Sequence, residues 1–67
     1  MEVSEANEIL RYGIAVLRGQ NIVCKLSGRV QIALILMKRL SEEGFWWQVK
    51  VLQYWLHRAQ GGQLCVA

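Results

Sequence analysis

The run Val30–Leu40, VQIALILMKRL, constrains this 67-residue chain more than any other stretch. Wound as a helix at about 100° per residue, it has almost no polar side. Val30, Ala33, Leu34 and Met37 share one broad face, with Leu36 and Leu40 at its edge. Ile32 and Ile35 lie on the far side, and only Gln31, Lys38 and Glu42 form a narrow polar strip. A helix apolar nearly all round is one covered on several sides, so the rest of the chain reads as its cover. Ser27 is placed to cap its start, and Gly44 stands where a left-handed residue ends a helix. Glu42 and Glu43, in the last turn, work against the helix dipole. A strand over Val30–Leu36 is the rival, since short apolar runs do not separate strand from buried helix. The Ala, Leu, Met, Lys and Arg content favours the helix.

Two flanking segments supply candidates for that cover. Val3–Arg18 carries Ala6, Ile9, Leu10, Gly13, Ile14, Val16 and Leu17 on one arc, with Asn7, Glu8, Arg11, Ala15 and Arg18 opposite. Ser4 is its expected cap, and Glu5 and Glu8 lie in the early turns where negative charge is favoured. Gly13 sits inside the apolar arc. A mid-helix glycine costs about 0.5–1 kcal/mol relative to alanine, and close approach of a neighbouring helix is the expected compensation. The alternative is a β-hairpin, with Ile14–Leu17 and Ile22–Leu26 as its strands around Arg18-Gly19-Gln20-Asn21. On the helical reading Gly19 is the C′ residue, and Ile22-Val23-Cys24 is an apolar connector.

Phe45–Gln60, FWWQVKVLQYWLHRAQ, is the third element. Its apolar arc is wider than one neighbour can cover. Trp47, Val49 and Val51 alternate with Gln48 and Lys50 as a strand would, but Phe45, Val49, Leu52 and Leu56 keep helical spacing over a longer span. Gly61-Gly62 stops the helix, and 61–67 reads as a flexible tail in which Leu64–Val66 could add an edge strand.

Composition turns these segments into a question of supply. A chain this short has room for one domain, residues 1–67, and buries only about 60% of the surface its unfolded form exposes. Yet 54% of the residues are hydrophobic, three are Trp and none is Pro. The apolar side chain exceeds what a lone small core can hide, so a homo-oligomer, a dimer, is expected. The net charge of +3 permits an acidic partner without demanding one.

No catalytic or metal chemistry is legible. His57 is the single histidine, and nothing orients it against Cys24 or Cys65 as a nucleophile–base pair. Those three also fall short of a zinc set, which wants four ligands at close paired spacings. Gly61-Gly62 has no following helix with a lysine, so it is no phosphate loop. No cofactor is expected. The two distant cysteines and an acidic start, MEVSEANE, point to a reducing cytoplasm, and no stretch reaches the roughly 20 apolar residues of a membrane span.

What remains is surface. Trp46, Trp47, Val51, Tyr54, Trp55 and Arg58 form the expected partner-binding set, because Trp and Tyr dominate binding energy at protein interfaces. Aromatics beside Lys50, His57 and Arg58 also suit single-stranded nucleic acid, although the basic residues look scattered for a phosphate track. Arg11, Arg18, Lys25 and Arg29 form a weaker basic group in the first half. An interfacial membrane helix would need more Lys and Arg on its polar face. The fold expectation is all-α, three short helices at about Ser4–Arg18, Arg29–Glu43 and Phe45–Gln60, with α+β as the alternative. The function expectation is a small non-enzymatic interaction or regulatory protein with a protein partner, and nucleic acid second.

Overall fold

The computed structural model describes residues 1–19 and 25–61. It contains three helices, α1 (Val3–Leu17), α2 (Leu26–Glu42) and α3 (Trp46–Ala59), and no strand among the described residues. Each helix packs against both others. Ile14–Leu17 complete α1 rather than opening a hairpin, and 47–51 lie inside α3. The connector Ile22-Val23-Cys24, both cysteines and the segment Leu64–Val66 fall outside the described residues.

Three glycines punctuate the chain as their sequence positions suggest. Gly19, Gly44 and Gly61 have φ of 75, 85 and 74°, each just past a helix end. Glycine adopts these left-handed angles without the Cβ clash that other residues meet. At the end of α2 the motif is complete. Gly44 N–H donates to the Ser41 carbonyl at 3.1 Å, and Phe45 N–H donates to the Leu40 carbonyl at 2.9 Å. These are the two bonds of a Schellman cap, and they turn Phe45 back onto the core.

The helix starts differ from expectation. Glu2 and Lys25 hold the N-cap positions, and neither makes a side-chain capping bond. Ser4 and Ser27 sit inside the first turns instead, and α2 begins at Leu26 rather than Arg29. Tertiary packing sets these ends, since most helical stability in proteins comes from the buried face.

Four contacts fix the direction of the helices. The Met1 amine lies 3.1 Å from Glu43 Oε1, placing the start of α1 beside the end of α2. Gln48 Nε2 donates to Asn7 Oδ1 at 3.0 Å, placing the starts of α1 and α3 side by side. The Arg18 guanidinium stands 5.4 Å from the Trp55 ring centre, bringing the ends of α1 and α3 together. A β-carbon at Gly19 would meet Arg29 Nη1 at 3.0 Å, so the end of α1 borders the start of α2. The chain therefore runs up, down and up, with α1 and α3 parallel.

The core also corrects the first expectation. Val30–Leu40 is helical, but within one copy it is not enclosed. Only Ala33 and Leu40 of α2 are buried, while Leu34 is exposed and Ile35 is 66% exposed. The enclosed helix is α1, which buries Ala6, Leu10, Gly13, Val16 and Leu17. The reason is size: Ala6 and Gly13 let neighbours approach closely. The expected close approach at Gly13 is present, because a β-carbon there would lie 2.6 Å from Leu52 Cδ2 and 3.4 Å from Leu36 Cδ1. Leu52 and Leu36 thus fill the space that Gly13 leaves, from α3 and α2 at once. Gln48 is the single buried polar side chain among the described residues, and Asn7 satisfies it. Such a pair costs little when both partners are present, whereas an unpaired buried amide is expensive.

Candidate functional site

The outward face of α3 carries the candidate residues. With Val49 and Leu52 buried, the helix turns its opposite side outward. Trp47 is 65%, Trp46 58% and Tyr54 55% exposed. Arg58 is exposed too, whereas Val51 and Trp55 are half-buried and pack against the core. At helical spacing, Trp47, Val51, Tyr54 and Arg58 line one strip, with Trp55 where α3 meets α1. Trp46 stands about 100° round the helix from Trp47, alongside Lys50, Gln53 and His57. The expected set is therefore five residues on one strip and a sixth apart from it.

Cation–aromatic contacts tie part of that strip together. Tyr54 and Trp55 meet edge to face, with ring centres 5.7 Å apart and planes at 86°. The Arg58 guanidinium lies 5.8 Å from the Tyr54 ring centre and 5.9 Å from that of Trp55. Its Nη1 also donates to the Tyr54 hydroxyl at 3.3 Å. Arg18 approaches the same indole from α1. Each such contact is worth about 0.5–1 kcal/mol at an exposed site. Leu17, Arg18, Trp55, Arg58 and Ala59 line an open cleft of about 240 Å³.

Arg18 is the residue that reasoning from the sequence undervalued. The basic side chains look scattered along the chain, but the fold gathers them. Arg18 ends α1, Lys25 and Arg29 open α2, and Arg58 lies in the last turn of α3, so all four share one end of the bundle. The chain's five carboxylates, Glu2, Glu5, Glu8, Glu42 and Glu43, lie where α1 begins and α2 ends. The signal was available: three helices of similar length, each stopped by a glycine, alternate in direction and bring residues near Gly19 and Gly61 level.

The chain matches no family model, and neither a curated protein nor a solved structure is significantly similar to it. The reading rests on the residues.

Among the described residues, no three His, Cys, Asp or Glu side chains converge as metal ligands. No helix among them is long and apolar enough to cross a membrane. His57 is exposed on the Trp46 side of α3.

Proposed function

We propose that this chain is a small interaction protein, with no chemistry of its own, that docks a protein partner through the outer strip of α3. The observation carrying this reading is the exposure of Trp47 and Tyr54 beside half-buried Val51 and Trp55. Large aromatic surface left in water is costly, and apolar patches ringed by polar groups mark interaction sites. Rigid aromatics next to arginine are the side chains that carry most binding energy at such sites.

Trp47→Ala together with Tyr54→Ala tests it. Both side chains are more than half exposed, so stability is expected to stay within about 0.5 kcal/mol of wild type by thermal unfolding. Association with the protein that the wild-type chain captures in its native host is expected to weaken by at least about tenfold. Unchanged association would refute the assignment.

The gathering of Arg18, Lys25, Arg29 and Arg58 beside two aromatics favours a second reading, nucleic acid. Binding to a single-stranded oligonucleotide would then fall steeply as salt rises, and Arg58→Ala would flatten that slope by roughly one phosphate contact. No binding at low salt removes this reading.

A further inference from the structure

We infer that the occupant of the α1–α3 face is a second copy of this chain, lying antiparallel, so that Glu8 of each copy completes the Arg18–Trp55–Arg58 cleft of the other. The inference rests on the docking reading above and goes further by naming the partner and its direction.

The cleft is incomplete in a single copy. It holds two guanidinium groups, 5.4 and 5.9 Å from one indole centre, and among the described residues no carboxylate pairs with either. Both charges lie at the end of the bundle farthest from the chain's carboxylates. A second copy laid parallel would put arginine over arginine and glutamate over glutamate. Laid antiparallel, it puts acidic end over basic end twice, and a two-fold axis closes the assembly at two copies.

The register follows from the parallel pairing of α1 and α3. Asn7 is level with Gln48, and Arg18 is level with the Trp55–Ala59 turn. With the axis midway along α3, Trp47 of one copy faces Arg58 of the second, and Val51 faces Tyr54. The strip is thus self-complementary, aromatic to cation at its ends and aliphatic to aromatic near its middle. Glu8, exposed and one residue past the level of Gln48, then faces the turn that carries Arg58 of the second copy. Complementary charge fixes direction more than it adds affinity, while the aromatic strip supplies the buried surface.

Sedimentation velocity on the full chain, with a charge exchange, tests the arrangement. A species of twice the 7.7 kDa chain mass is expected at micromolar concentration. Glu8→Arg alone and Arg58→Glu alone are each expected to weaken it about tenfold, since each change acts twice across the axis. Glu8→Arg with Arg58→Glu in one chain is expected to restore most of the loss. A chain that stays at 7.7 kDa throughout, or a double variant at least as weak as either single one, overturns the inference. Oligonucleotide binding by a monomeric chain, lost in Arg58→Glu, overturns it in favour of nucleic acid. Should a charge variant fail to fold, a photo-crosslinker replacing Tyr54 supplies the second measurement: its adduct is expected on residues near Val51 of another copy. An adduct on a different protein instead, with the chain monomeric, refutes the second-copy inference and leaves the docking reading standing. No adduct at all defeats both.

Discussion

Leu52→Ala is expected to remove about 2–5 kcal/mol, enough to leave much of the chain unfolded at 25 °C. Leu52 is fully buried at the centre of α3, where its branched end fills the space beside Gly13. At roughly 0.05–0.15 kcal/mol per residue, a chain of this length has on the order of 3–10 kcal/mol in total. A cavity in the only core among the described residues therefore consumes most of the stability. Urea unfolding followed by circular dichroism measures the change. A loss below about 1 kcal/mol would mean that the site collapses around the smaller side chain or that α3 docks elsewhere.

Gly13→Val is the second large effect, and its cause is the reverse, too much volume. An added β-carbon meets Leu52 Cδ2 at 2.6 Å, closer than carbon atoms approach, and two further methyls have nowhere to go. Overpacking of this kind costs about 1–3 kcal/mol, and valine is also a poorer helix former than alanine. Gly13→Ala separates the packing term from the backbone term by a change of sign. In the wild-type background the crowding of Leu52 outweighs the helix gain of about 0.5–1 kcal/mol, and alanine destabilises. In the Leu52→Ala background the crowding is gone, and the same Gly13→Ala change is expected to stabilise. Equal effects in both backgrounds would show that Gly13 and Leu52 do not share the contact.

The sequence made these helices legible through glycine as much as through hydrophobic period. Gly19, Gly44 and Gly61 end the three helices within a residue or two of the expected bounds, because a left-handed stop is a local requirement that tertiary contacts seldom overrule. The starts were less legible. Ser4 and Ser27 have good capping chemistry, but the chain enters its helices two positions earlier, where packing of α1 and α2 sets the limit. Hydrophobicity alone also misplaced the centre. Val30–Leu40 is the most apolar run, yet Ile35 faces water while the smaller side chains of α1 are enclosed. Burial depends on how closely neighbours approach, and Ala6 and Gly13 permit more of that than a rim of branched residues does. For the candidate site, the aromatic strip could be read from α3 itself. The pairing of Arg18 with Trp55 could not, since it depends on two helices about forty residues apart lying parallel.

The claim at the centre of this account is that the outer strip of α3 is covered by protein when the chain acts. The direct measurement is site-specific photo-crosslinking in the native host, with benzoylphenylalanine replacing Tyr54 on the strip or Arg39 on the exposed side of α2. The account expects a discrete covalent protein adduct from position 54, abolished by Trp47→Ala, and none from position 39. No protein adduct from position 54, or equal adducts from both positions, would contradict it.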